Sequence, residues 1–246
     1  MKKFSLLIIA AIAVAGAGTA SAFFHKGLFG GDEEAGATDF VSGNDFDIKT
    51  LSVVNAGEAG LAGTEGDGGL GTGIYEWDMI LGDPNAPIVM TEYASMTCGH
   101  CGNFHKFEFK KILANFVATG EVKVLYRDYP LDGVAARLAM IGRCLPADKY
   151  FDYVEHVYQE QDNWINDPEK DYFKIPRAKA EELGMSSEKI DECLADETVS
   201  ANLQRAYTEA QGLGVSSTPT IFFNNKKYSG NRSLADIRKF LDELSN

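Results

Sequence analysis

Apolar positions along this 246-residue chain follow two different periods, and the switches between them divide it into parts. Ile88-Val89-Met90-Thr91-Glu92-Tyr93 is an apolar, β-prone run that reads as a buried strand. Phe104, Phe107, Ile112 and Phe116 then recur near helical spacing, which predicts a helix over residues 98–116. Val122-Lys123-Val124-Leu125-Tyr126 predicts a second strand, with Gly120 closing the helix and Pro130 following the strand. A strand–helix–strand order of this length implies a parallel pair joined by a right-handed crossover. The period then stays helical. Ala135, Leu138, Ile141 and Leu145 form one apolar stripe, and Phe151, Val154, Val157 and Tyr158 another. Pro176 opens a predicted helix that ends at Gly184, Ser186 or Ser187 caps the next, and residues 198–213 make a further one. The pattern returns to β in Thr220-Ile221-Phe222-Phe223 and Lys226 to Ser229, joined by Asn224-Asn225, a pair that tolerates the positive φ of a tight hairpin. Ser233 caps a final helix carrying Leu234, Ile237, Phe240 and Leu241.

The order β-α-β, helical block, β-β-α is that of an α/β thioredoxin fold with a helical domain inserted at about residues 132–213. Tyr75, Trp77 and Met79 alternate with polar neighbours and predict a first, edge strand, so the globular part is read as residues 75–246. Residues 23–74 differ. Residues 23–73 hold 13 of the 25 glycines and no proline or cysteine. Residues 23–78 hold eleven acidic against two basic side chains. Apolar patches interrupt this arm at Phe23-Phe24, Leu28-Phe29, Phe40-Val41 and Ile48 to Val54. It reads either as a solvated spacer or as a self-association segment.

Residues 1–22 have the layout of a secretory signal: Lys2-Lys3, an apolar core from Phe4 to Ala17, and Ala20-Ser21-Ala22 as a cleavage site. The core is shorter than the roughly 20 residues that cross a bilayer, so the expected location is the periplasm, in solution or at the envelope. Loss of Lys2 and Lys3 takes the formal charge from −13 to −15, which disfavours nucleic acid and anionic membranes as partners. All four cysteines, Cys98, Cys101, Cys144 and Cys193, lie beyond the signal, and an even count outside the cytosol favours disulfides.

Candidate chemistry centres on Cys98-Gly99-His100-Cys101, which sits between a strand and a helix. That context places Cys98 at a helix N-terminus, where free N–H groups and the macrodipole stabilise a thiolate. Cys98 is then the attacking sulfur, Cys101 the shielded resolving thiol, and His100 an imidazolium able to favour the neighbouring charge. Two other readings stand beside this one: an inert structural disulfide, and zinc held by Cys98, Cys101 and His105, for which no fourth ligand or second paired spacing is evident. Thr218-Pro219, immediately before a strand, is a place where cis proline occurs and leaves backbone groups free to pair with an incoming peptide.

From about Tyr75 to Leu244 the chain resembles the DsbA family of exported thiol-disulfide oxidoreductases. The resemblance rests on Glu92-Tyr93 leading into Cys98-Gly99-His100-Cys101 and on Thr218-Pro219 before Ile221-Phe222-Phe223-Asn224. It implies that Glu92 is buried and passes protons to and from Cys101, whereas strand alternation alone leaves an exposed carboxylate open. Gly-His between the cysteines and Thr218 before the proline look like protein disulfide isomerase rather than the strongest oxidant. The arm resembles extensions through which some DsbA-like proteins form dimers or trimers, so a homo-oligomer with isomerase leanings is expected. The implied partners are unfolded or misoxidised exported proteins, with a DsbB-like oxidase or a DsbD-like reductase to reset the site, and no metal or organic cofactor. Cys144 and Cys193 fall near apolar stripes of the helical block and are expected to form a structural disulfide, the alternative being two buried thiols. Rival functions are a chaperone-like peptide binder and a metal-handling thiol protein.

Overall fold

A computed structural model of the chain describes residues 40–61 and 73–244. The expected signal, residues 1–22, lies outside the described residues, as does much of the arm. Six strands form one sheet: β1 (Val53–Asn55), β2 (Met79–Leu81), β3 (Ile88–Ala94), β4 (Val122–Asp128), β5 (Thr220–Phe223) and β6 (Lys226–Tyr228), in the spatial order β1-β2-β4-β3-β5-β6. The central pair β3 and β4 is parallel and every other pair antiparallel. All seven residues of β4 are buried, as expected of a strand covered on both faces. The outermost strand, β6, exposes both of its lysines, Lys226 and Lys227.

The crossover from β3 to β4 opens as α1 (Gly99–Phe104) and runs on through a π-helical stretch (His105–Phe109), α2 (Lys110–Ile112) and a second π-helical stretch (Leu113–Val117). The wider turns shift the apolar face. Phe104, Phe109, Ile112, Leu113 and Phe116 are buried, while Phe107, assigned to that face by simple helical spacing, is 62% exposed. Five residues instead of about four in that turn rotate Phe109 inward and Phe107 out.

The inserted block holds α3 (Gly133–Arg143), α4 (Ala147–Gln159), α5 (Gln161–Ile165), α6 (Lys174–Glu182), α7 (Ser187–Leu194) and α8 (Glu197–Gly212). Asp132, Ser186 and Asp196 cap α3, α7 and α8 by accepting backbone N–H groups at each start. Cys144 and Cys193 are joined by a disulfide that ties the end of α3 to α7, with Cα atoms 6.2 Å apart. Tyr150, Phe151, Tyr153, Val154, Val157 and Tyr158 of α4 enter the same core as Phe104, Phe109 and Phe116, so the insert shares its apolar interior with the crossover helix. Asn224 takes φ 53° in the turn between β5 and β6, and α9 (Leu234–Leu244) follows, Ser233 Oγ accepting from the Asp236 N–H.

Two expectations are corrected. Residues 40–61 are not a solvated spacer, because they fold onto the rest of the chain. The Phe40 ring lies edge-on to Phe116 at 6.0 Å, Asn115 exchanges side-chain hydrogen bonds with the Val41 backbone, and β1 registers Val53 against Leu81 and Asn55 against Met79. Gly43, at φ 67°, lies so close to Lys111 that a Cβ would sit 2.6 Å from its Cα. The apolar patches at Phe40-Val41 and Ile48 to Val54 therefore have an intramolecular destination. Consequently the edge strand expected at Tyr75, Trp77 and Met79 is corrected: the strand runs Met79–Leu81, with Tyr75 and Trp77 ahead of it, and β1 lies outside it.

Chains beginning at residue 40 and at residue 62 are expected to differ in urea unfolding by about 2 kcal/mol or more, the shorter losing β1 and the packing of Phe40, Ile48 and Leu51. The double substitution Cys144→Ala, Cys193→Ala is expected to lower stability by up to about 4 kcal/mol, the loop-closure value for a sequence separation of 49. The same urea titration reads both.

Candidate active site

Strand β3 runs into a tight turn at Ser95–Thr97, and Cys98 occupies the N-cap of α1, its N–H bonded to Ser95 O at 2.9 Å. A side chain at the N-cap lies beside the first unpaired helix N–H groups, the place where a capping oxygen ordinarily sits. Here a sulfur takes it. The insert fastens this turn from the other side: Gln161 Nε2, buried at the start of α5, donates to Met96 O at 2.7 Å and Cys98 O at 3.0 Å. Gly102 lets Gln161 approach, because a Cβ there would lie 2.1 Å from Gln161 Oε1.

The antiparallel register of β3 with β5, Glu92 opposite Ile221 and Tyr93 opposite Thr220, brings the start of β5 up to the cysteine turn. The Thr218–Pro219 peptide bond is cis, and the Cys98 thiol donates to Thr218 O at 3.4 Å. Thr218 Oγ1 is buried with no partner among the described residues. It is a hydroxyl ready to donate once the sulfur is charged.

The two thiols have opposite acidities. Cys98 is lowered from 9.0 to about 5: the Cys101 thiol donates to its thiolate, burial opposes this, and Thr218 and the backbone N–H groups of Cys101 and His100 add further hydrogen bonds. Cys101 is pushed far upward, first by burial, then by its bond to Cys98 and by the nearby charge of Glu92. Cys98 is 9% exposed and Cys101 fully enclosed. One sulfur is therefore favoured as a thiolate and keeps a small exposed fraction, and the other is favoured as a thiol.

Beneath Cys101 lies a buried acid–base cluster. Glu92 is fully enclosed on β3, and its carboxylate meets His105 Nε2 at 3.1 Å. His105 Nδ1 meets Glu155 Oε1, from α4, at 2.5 Å. Burial alone would make this imidazole harder to protonate, but Glu92 and Glu155 outweigh it and raise His105 from 6.5 to about 10. His105 is thus an imidazolium with both nitrogens committed to carboxylates, which removes it as a zinc ligand for Cys98 and Cys101. Among the described residues no group of three or more His, Cys, Asp or Glu side chains could hold a metal ion.

Cys98, Cys101, Glu92, Thr218 and Pro219 thus come together around one turn. His100 is exposed, and its backbone N–H rather than its ring bears on the Cys98 sulfur. Cys144 and Cys193 lie in the insert, in a core cluster of their own with Ala139, Met140 and Leu203. Sequence reasoning passed over Gln161 and Glu155. For Glu155 a signal existed, since it falls on the stripe between Phe151 and Tyr158 where a charge needs a partner. Gln161 left none.

The thioredoxin family model matches residues 75–243. Wolbachia pipientis alpha-DsbA1 has a similar crystal structure, with TM-score 0.61, 30% identity, and coverage of 68% of this chain and 90% of that one. Disulfide bond formation protein D of Bacillus subtilis is 24% identical over 173 residues, 67% of this chain and 75% of that protein. A Rickettsia bellii protein provisionally named a protein-disulfide oxidoreductase is 26% identical over 181 residues, 70% of this chain and 68% of its own length. Its counterparts in other Rickettsia species are spanned over 59–61% of their lengths. With a sulfur at a helix start beside a cis proline, and a family match over most of its length, this chain belongs to the thioredoxin family. Within it, the inserted helical block and these relatives place it among the DsbA-like thiol-disulfide oxidoreductases.

Alkylation of reduced protein by iodoacetamide is expected to follow a single midpoint near pH 5, with Cys101 unreactive throughout the neutral range. Because folding depresses the Cys98 value, the resulting stabilisation of the reduced form is complete above 9.0, shrinks as pH falls, and is gone below about 5. Thermal unfolding of reduced and disulfide forms between pH 4 and pH 9 checks the sign.

Proposed function

We propose that this protein forms and rearranges disulfide bonds in exported proteins through the Cys98–Cys101 pair. The observation that carries the reading is the Cys98 sulfur at the N-cap of α1, 3.4 Å from Thr218 O, where the surrounding hydrogen-bond donors favour its thiolate. For oxidation, a substrate thiolate attacks Cys98 in the Cys98–Cys101 disulfide. A mixed disulfide forms, and Cys101 leaves as a thiolate and is protonated. A second substrate thiolate then attacks the substrate sulfur of that mixed disulfide, and Cys98 departs as the stabilised thiolate. For isomerisation, reduced Cys98 attacks a wrong substrate bond and leaves when the correct one has formed. A low thiol midpoint suits Cys98 to the leaving-group role in both.

An extended substrate segment would pair with the backbone at Thr218–Pro219. A DsbB-like oxidase or a DsbD-like reductase would return the pair to its working state. Gly99-His100 and Thr218 favour a share of isomerase activity. Export is supported by the layout of residues 1–22, and among the described residues no helix is long and apolar enough to cross a membrane. Self-association would draw on apolar patches of the arm ahead of Phe40, such as Phe23-Phe24 and Leu28-Phe29.

Insulin reduction and reactivation of scrambled ribonuclease by Cys98→Ala are expected to fall at least about 100-fold, while Cys101→Ala accumulates mixed disulfides that electrophoresis detects. Retained ribonuclease reactivation without Cys98 would overturn the exchange reading in favour of a peptide-binding role. Mass in solution, measured on the same preparations, decides self-association.

A further inference from the structure

The Glu92–His105–Glu155 cluster holds more acid than a structural ion pair needs. Two buried carboxylates share a single imidazolium, so with both ionised the enclosed cluster carries a net negative charge, a costly state in a low-dielectric interior. The neutral arrangement has one carboxyl protonated. Moreover, Glu155 Oε2 is buried with no hydrogen-bond partner among the described residues. Both sides of the His105 ring are packed, by Tyr158 stacked at 4.2 Å and by Phe109 at 4.4 Å, so its two nitrogens stay aimed at the two carboxylates. Glu92 is fully enclosed, whereas the Glu155 side chain is 8% exposed. The cluster has an inner end beneath Cys101 and an outer end at the rim of α4.

We propose that Glu155 is the solvent-side proton-exchange group of this site, coupled through the imidazolium of His105 to Glu92, so that the buried cluster keeps its charge while Glu92 gives a proton to Cys101 and takes it back. This rests on the thiol-exchange reading above. When a substrate thiolate attacks Cys98, the Cys98–Cys101 bond breaks and its electron pair goes to Cys101. The Glu92 carboxyl transfers its proton to that thiolate, and Glu155 takes one from solvent. When the disulfide re-forms, the Cys101 proton returns to Glu92 and Glu155 releases its own. The two half-reactions run the same transfers in opposite directions, so His105 need not turn over. The titratable groups around His105 are Glu92 from β3, Tyr126 from β4, Glu155 and Tyr158 from α4, and Cys101 from α1; burial holds both tyrosines protonated well above 10. Glu155, with a side chain 8% exposed against 0% for Glu92, is the carboxyl of this set nearer the surface.

The test is stopped-flow opening of the oxidised protein by glutathione, with rates expressed per glutathione thiolate from pH 5 to pH 9. Wild-type protein is compared with Glu155→Gln, which keeps the shape and the acceptor toward His105. The wild-type rate is expected to show a pH-dependent limb beyond the ionisation of glutathione, because Cys101 gains a proton as the bond opens. The variant is expected to be about tenfold slower near pH 7 and to lose that limb of the profile, with the Cys98 midpoint still near pH 5 by thiolate absorbance. His105→Gln is expected to reproduce the loss; if it fails to fold by circular dichroism, Glu155→Gln at the rim carries the test alone. A wild-type rate and profile in Glu155→Gln would overturn the proposal, as would a Cys98 midpoint that moves in step with the rate. Absence of any opening in the wild-type protein would instead overturn the exchange function itself.

Discussion

The hydrogen bonds that converge on one sulfur set the terms for the rest of this molecule. A thiolate at position 98 is stabilised only if the first turn of α1, the Cys101 thiol and Thr218 all face it, and each comes from a different constraint. The helix start is supplied by the crossover geometry, and the approach of Thr218 by the β3–β5 register with its cis bond. The Cys101 thiol remains a donor because burial makes its ionisation unfavourable. Two cysteines with the same chemistry thereby differ in acidity within one helical turn. That difference gives exchange its direction.

The helical insert participates in the site rather than decorating the fold. Gln161 of α5 holds the carbonyls of the cysteine turn, and Glu155 of α4 meets His105 Nδ1, the nitrogen opposite the one facing Glu92. Both contacts cross from the insert to the thioredoxin core, alongside the apolar interior that α4 shares with the crossover helix. Gly102 and Gln161 are therefore a matched pair. Any side chain at 102 would displace the amide that holds the Cys98 carbonyl.

Much of this was legible in the residues. The strand–helix–strand start, the extent of the insert, the Asn224 hairpin and the caps at Ser186 and Ser233 all follow from local patterns, because their causes lie within a few residues. The placement of Cys98 at a helix start was legible for the same reason. What escaped was nonlocal. Phe107 faces outward because two π-helical stretches change the helical period, which residue spacing does not announce. Residues 40–61 look like linker by composition, yet their short apolar patches find partners in β2 and the crossover helix. Glu92 could not be assigned a face until its neighbours on β4 and β5 were known, and Gln161 acts through a contact 63 residues away.

One end of the sheet bears on how such a protein survives its own working environment. β6 is the terminal strand beside β5, three residues long, with Lys226 and Lys227 turned to solvent. Short, positively charged borders discourage another polypeptide from extending a sheet by backbone pairing. If the protein acts on incompletely folded chains as proposed, such a border would keep it from templating their aggregation at its margin.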